Sequence, residues 1–513
     1  MNAETPRRQD GNEAKMSRAE TRRRGELHET PPRLCVSARD ISFCFFLIAL
    51  TLLAYLPALR AGFIWDDDDY VTANPTLHDA AGLGLIWTDQ HANVQYYPLV
   101  FTTFWFEYHA WGLIPLGYHV DNILIHSFSA ILLWRLLLRL ELPPLAAWLA
   151  AAIFAVHPVE VESVAWVTER KNVLCGLFYL VAMLVYFSPR RGRAQYVGAA
   201  ALFLCAMLSK TVAATWPLAV LVILWWRNGK LRGRDYVAMV PFALIGAVLG
   251  WLTSLIEKGQ VGAGGKDWDF SFADRCIIAG RAVWFYAIKA IVPARLTFIY
   301  PRWDLSAERA IQATAAASAA ILLIVLVLQI RRLGRGPAAA AILFVLTLGP
   351  ALGFVDYYPM RFSFVANHFQ YLAIIAVIVP AAVLLVRWFG GGATVILVPL
   401  VVLTFLQCRI YRDRVALWSD TSAKNPFSWM AHVNLGEAWD EIGQIDAAGP
   451  EFVEATELAG DEPDTWYHLA EFQAKHRRYA EAEASFRHAL LLNPNDDALK
   501  RDLQKVLKIE AGN

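Results

Sequence analysis

The chain has 513 residues, is 57% hydrophobic and carries 19 tryptophans; its mean hydropathy is +0.37. Charged residues make up only 18%, and 47 Lys+Arg against 46 Asp+Glu leave a net charge of +1. That excludes an ordinary soluble globular protein, gives no reason to expect a nucleic-acid partner, and indicates a polytopic membrane protein. The six cysteines (Cys35, Cys44, Cys175, Cys205, Cys276 and Cys408) form no C-x-x-C pair. They read as small apolar residues and not as a disulfide frame or zinc site.

Residues 1–40 are polar and arginine-rich without apolar periodicity, and predict a disordered cytoplasmic arm. The apolar run 41–59 has no small-residue cleavage site and predicts an anchor that leads outward. Directly after it comes Phe63-Ile64-Trp65-Asp66-Asp67-Asp68-Asp69-Tyr70. Four adjacent carboxylates repel one another, which raises some of their pKa values. The stretch suits a general base or a metal site; the plain alternative is a solvated loop that ends a helix. It opens a long outer loop, 60–116, whose aromatic piece 101–111 predicts an interfacial segment.

Further apolar runs follow near 118–138, 144–158, 172–188, 194–209, 211–227 and 236–256, and again near 309–330, 337–355, 369–388 and 391–408. Arg190, Arg191 and Arg193 fall on the inner side, as do Arg227 to Arg234. The run 276–292 carries Arg281 and Lys289, and the positive-inside rule favours an interfacial or re-entrant helix there, within a second outer loop, 257–308. About eleven spans result, which puts the tail outside. In that tail, Gly436, Ala448, Phe452, Ala455 and Leu458 recur 34 residues later as Ala470, Ala482, Phe486, Ala489 and Leu492. This is the tetratricopeptide period. Two repeats and a polar capping helix, 496–509, are predicted within 409–513, with Pro450 disrupting the second helix of the first repeat.

The unusual polar residues gather on the outer side: the first-loop acids, His157, Glu160, Glu162, Glu169, Arg170, Lys171, Lys210, Arg302, Arg361 and His368. A carboxylate base beside cations suits transfer from a phosphorylated donor, with the cations neutralising the phosphate that leaves. Each member also has a plainer reading. Glu169-Arg170-Lys171 reads as a solvated helix end, Lys210 as a snorkelling side chain, His157-Pro158 as a helix stop, and Arg361 and His368 as partners of nearby carbonyls. His157, Glu160 and Glu162 could also hold a divalent metal. A transporter would place polar residues at mid-bilayer in repeated spans, which is not the pattern here.

Phe63-Ile64-Trp65-Asp66-Asp67, Asn74-Pro75, Tyr97-Pro98-Leu99, the block from His157 to Lys171, Ser209-Lys210, Tyr300-Pro301 and Phe364–Leu372 together resemble the bacterial relatives of the transmembrane and tetratricopeptide-repeat O-mannosyltransferases, within the C-type glycosyltransferase (GT-C) superfamily. The resemblance covers about residues 41–500, and its most specific part is the block from His157 to Lys171. It implies an all-α protein: a GT-C-like transmembrane domain, 41–408, followed by a tetratricopeptide domain. It implies an inverting glycosyltransferase that moves a sugar, mannose being one candidate, from a polyprenyl-phosphate donor to a hydroxyl, Ser or Thr of an exported protein. Asp66 would be the base, with Asp67 beside it. His157, Glu160, Glu162, Arg170, Lys171, Lys210, Arg361 and His368 would bind substrate, the cations Arg170, Lys171 and Lys210 toward the lipid phosphate. Asn367 departs from the acid that relatives often carry. The expected setting is the bacterial inner membrane, with the N-terminus cytoplasmic and the repeats periplasmic, where they would hold the protein acceptor. The competing expectation is a non-catalytic scaffold that recruits envelope partners through its repeats.

Overall fold

The computed structural model describes residues 38–189, 192–256, 258–259, 262, 264–306 and 309–512. The arm over residues 1–37, together with Arg190 and Arg191, lies outside the described residues. The chain divides into two compact units, residues 1–46 and 47–513. In the first, the described residues are helical, part of helix Ala38–Ala54. The second holds everything discussed below. Among the described residues there are helices and no strands.

Among the described residues, four helices are long and apolar enough to cross a membrane: Pro115–Arg139, Gly233–Ile256, Arg309–Leu328 and the helical run Ile375–Arg412. The pair Pro144–Ala155 and Pro158–Ala165, bent by 43°, has the geometry of a broken span or a re-entrant loop. Other runs counted among the eleven form shorter helices, such as Arg193–Met207 and Gly336–Leu348. Helix Arg309–Leu328 buries none of its residues, and Val237, Leu244, Val248 and Trp251 of Gly233–Ile256 are exposed. Apolar faces of that extent are stable against lipid, so this is a multi-pass membrane protein.

The charged run after residue 270 folds as helix Phe272–Ile291, opened by a capping box between Ser271 and Asp274. It packs along Arg309–Leu328, and the contact depends on Gly280: a Cβ there would lie 2.3 Å from the Ala316 Cα. The aromatic piece of the first loop lies in helix Pro98–Trp111, which buries Val100, Phe101 and Phe104 against Tyr70, Val71, Leu77 and Tyr118 and exposes Phe106.

The tail forms helix pairs Trp429–Glu441 with Ile445–Leu458 and Pro463–Lys475 with Tyr479–Leu492, followed by Asp497–Gly512. The 34-residue pattern is the packing pattern. Phe452 lies over Gly436, where a Cβ would come within 2.9 Å of its ring, and Phe486 packs with Ala470. Helix Ile445–Leu458 runs through Pro450 unbroken, contrary to the expected disruption. Pro450 lies inside the helix and removes one ladder donor, and the buried side chains Ala448, Phe452 and Ala455 on either side of it hold the helix together.

The tail is docked on the loops around residues 296 and 361. Arg361 pairs with Glu462 at 2.6 Å, Asp464 at 3.2 Å and Asp267 at 3.7 Å. Lys424 Nζ donates to the Leu296 carbonyl at 2.7 Å, and Phe362 meets Trp429. Replacing Gly280 by Val is expected to destabilise the protein by about 1–3 kcal/mol through overpacking. The midpoint of thermal unfolding in detergent checks this; an unchanged midpoint would contradict the close approach.

Candidate active site

A cavity of about 880 Å³ opens where the first loop, the 162–172 segment, the 210–214 turn and the 355–372 loop meet. Its polar end presents Asp66, Asp69, Tyr70, Glu162, Glu169, Lys171, Lys210 and His368. Its other wall is apolar and small, with Gly246, Ala247 and Gly250 of helix Gly233–Ile256 facing Val212 and Ala214. Gly246 permits this: a Cβ there would sit 3.3 Å from the Ala214 Cβ.

The two adjacent acids of the first loop part company. Asp66 faces the cavity, half-buried. Burial raises its pKa to about 7, with Asp69, Asp68 and Glu169 adding to the rise and Lys171 opposing it. Asp67 is fully buried and does not line the cavity. One of its oxygens accepts the Ile64 N–H at 2.8 Å; the other accepts the Thr168 N–H at 2.8 Å and the Thr168 hydroxyl at 2.7 Å. Burial pushes its carboxyl up to about 7 against these three bonds. Its geometry is that of a strut, and only Asp66 is placed to meet a substrate.

Glu169 is buried between two cations, 3.1 Å from Lys171 and 3.2 Å from Lys210, with His368 at 3.9 Å. Burial would raise its pKa, but His368, Lys171 and Lys210 hold it well below the usual carboxylate range. Burial works against the Lys171 ammonium too, yet Glu169, Tyr70 and Asp66 keep its pKa above the ordinary lysine value. Lys210 goes the other way, its pKa lowered by burial more than Glu169 restores. Lys171 also lies over the Tyr70 and Trp166 rings. Opposite, Glu162 accepts from His368 Nδ1, from Asn367 Nδ2 at 2.9 Å and from the Tyr411 hydroxyl at 3.3 Å. Asn367 thus has a defined place here, orienting Glu162 while accepting from Tyr300 at 2.8 Å.

Four of the expected substrate-binding residues are placed elsewhere. Arg170 is buried behind the wall in an ion pair with Glu107, and also bonds Asn122 and the Tyr118 carbonyl. Four of its five N–H donors are taken, by Asn122, Thr103, Glu107 and the Tyr118 carbonyl, and its side chain does not line the cavity. His157 caps the turn Pro158–Glu160 and bonds the Ala290 carbonyl at 3.1 Å. Glu160 is buried outside the cavity, and Arg361 is taken by the tail acids. A metal bound by His157, Glu160 and Glu162 does not fit: the His157 ring nitrogens serve backbone groups and Glu162 is engaged by His368 and Asn367. Among the described residues, no group of three or more His, Cys, Asp or Glu is arranged to hold a metal ion.

Tyr70 and Tyr97, which stand in the sequence motifs but were given no site role, line the cavity, as do Gln95 and Asn172. Tyr70 donates to Gln95 at 2.6 Å. Nothing in the sequence marked Gln95.

The fold is thus a multi-pass helical membrane protein with a repeat-bearing tail and a charged cavity where the first loop, the 162–172 segment and the 355–372 loop meet. The model for the tetratricopeptide repeat matches residues 463–496. Protein O-mannosyl-transferase F38B6.6 of Caenorhabditis elegans is 23% identical over 452 residues, covering 82% of this chain and 63% of its own. Protein O-mannosyl-transferase TMTC4 of Homo sapiens is 32% identical over 161 residues, 27% of this chain and 22% of its own. Protein O-mannosyl-transferase Tmtc1 of Drosophila melanogaster is 32% identical over 192 residues, 35% and 22%. The chain spans less than two thirds of the length of each. These homologues match the resemblance carried by the sequence motifs. No solved structure matches the chain.

Asp67→Ala leaves the Ile64 and Thr168 donors without an acceptor and is expected to cost about 1–3 kcal/mol. Asp66→Asn is expected to leave stability within about 0.5 kcal/mol of wild type. Unfolding midpoints of the two variants check the division of roles.

Proposed function

We propose that this protein is a membrane glycosyltransferase that moves a sugar, mannose in the first instance, from a polyprenyl-phosphate donor to a Ser or Thr hydroxyl of a protein. The observation that carries the reading is a half-buried carboxylate, Asp66, in one cavity with the cations Lys171 and Lys210. That the homologues are named protein O-mannosyl-transferases supports the sugar and the protein acceptor. The apolar wall along Gly246 and Gly250 suits a lipid tail, and the lysines suit its phosphate.

In this reading Asp66 accepts the proton of the acceptor hydroxyl as its oxygen attacks the anomeric carbon. The bond from that carbon to the phosphate oxygen breaks, and its electron pair leaves with the phosphate. Lys171 and Lys210 neutralise the charge that develops there, so inversion needs one displacement. Glu162 and His368 form the wall against which the sugar is oriented. The transfer would occur on the outer side of a bacterial inner membrane, with the N-terminus cytoplasmic and the repeats beside the acceptor.

A base must be deprotonated. With the Asp66 pKa raised to about 7, transfer is expected to fall as pH drops below that value and to level off above it. Asp69→Asn removes a neighbouring negative charge and is expected to move this limb to lower pH. Initial rates against pH in the two proteins check both. Lys210→Met is expected to lower kcat/KM for donor by about 10–100-fold; unchanged kinetics would remove Lys210 from the phosphate site.

A further inference from the structure

Trp65, the residue before Asp66, has φ +41°, in the left-handed region that a bulky side chain rarely adopts. Such a backbone persists only where its surroundings over-determine it. Here the surroundings are three aromatic rings from distant parts of the chain. Trp166 stacks on the Trp65 ring, centroids 5.5 Å apart and 18° from parallel. Phe298 meets it edge-on at 5.0 Å and Trp418 edge-on at 5.6 Å. Phe298 and Trp418 also touch each other, at 5.5 Å.

Trp418 differs from the other two. It does not line the cavity, it is fully buried, and it belongs to helix Arg414–Lys424, which leads into the repeats. The same region is tied to the first loop a second time, where the Gly62 N–H donates to the Arg412 carbonyl at 2.9 Å. The far side of Asp66 is fixed by the buried Asp67. Asp66 is therefore flanked along the chain by Trp65 in its aromatic cage and by Asp67 on its Thr168 anchor.

We infer that Trp418 is a positioning residue for transfer: through the Trp65 ring it holds Asp66 in place, making the entry helix of the repeat tail a structural part of the active site. This rests on the reading of Asp66 as base. It gives the tail a role in the chemical step apart from any hold on an acceptor. Trp418 touches no part of the cavity, so its loss should act on kcat and spare donor KM.

The test uses full-length protein in lipid, with initial rates against donor concentration and pH. Trp418→Leu keeps much of the volume and loses the aromatic edge. It is expected to lower kcat by about 10–100-fold and to leave donor KM within about twofold. Loosening the cage admits water to Asp66, so the acid limb of the profile should move to lower pH. Trp418→Phe keeps an edge for Trp65 and is expected to restore most of kcat and the wild-type limb. Wild-type kcat and limb in Trp418→Leu would overturn the inference, as would equal losses in the Leu and Phe variants. If Trp418→Leu does not fold, Trp418→Met carries the same comparison, because it too removes the aromatic edge and leaves the cavity lining unchanged. Asp66→Asn is measured alongside. Transfer that survives in Asp66→Asn refutes the base itself, whatever the Trp418 variants do.

Discussion

Asp67 accepts the Ile64 N–H on one oxygen and the Thr168 N–H and hydroxyl on the other, with no access to solvent. These bonds join the loop after the first apolar run to the turn that leads into Glu169, Arg170 and Lys171. Without them, Asp66 and Lys171 would sit on two segments free to drift apart. With them, the acid and Lys171 share the cavity, and Glu169 ties Lys210 of a third segment to Lys171. The second fixed point is the buried pair of Arg170 and Glu107, which holds helix Pro98–Trp111 against the start of helix Arg170–Tyr186. Burying both charges is costly, and the pair endures because Asn122 and the Tyr118 carbonyl take further Arg170 donors. These residues stabilise the frame; Asp66, Lys171 and Lys210 are left facing the cavity.

Glu169 links the frame to the chemistry. Its carboxylate lies between Lys171 and Lys210, keeping two cations close that would otherwise repel each other. The arrangement has the charge pattern of a phosphate already bound. In the proposed reaction the donor phosphate shares these lysines with Glu169. The opposite wall, Glu162 with His368 and Asn367, is held by hydrogen bonds and needs no metal to fix its geometry.

Much of this was legible in the sequence because it follows from periodicity and composition. Apolar runs marked the bundle, and the 34-residue offset marked the repeats down to Gly436 beneath Phe452. Asp66, Glu162, Lys171, Lys210 and His368 were singled out and share the cavity. What was not legible depends on which way a side chain turns. Asp66 and Asp67 are neighbours of one type, yet one lines the cavity and the other is a strut. Arg170 and Lys171 divide in the same way, because successive helical residues point about 100° apart. Arg361 was misjudged for another reason: its partners Glu462 and Asp464 lie about a hundred residues away in a tail whose docking no local pattern reports. Pro450 was overweighted because the packing of Ala448, Phe452 and Ala455 around it outweighs the one ladder bond that an interior proline removes. Trp65 gave no signal at all, since a strained φ is a product of its tertiary cage.

The central claim is that this cavity transfers sugar from a lipid-linked phosphate to protein. The most direct test reconstitutes purified protein in lipid with a panel of radiolabelled polyprenyl-phosphate sugars and candidate acceptor proteins, with Asp66→Asn run in parallel. The account predicts label in protein from one donor of the panel, mannose first, with wild type alone. Label from no donor with the folded wild-type protein, or equal label with Asp66→Asn, would contradict it.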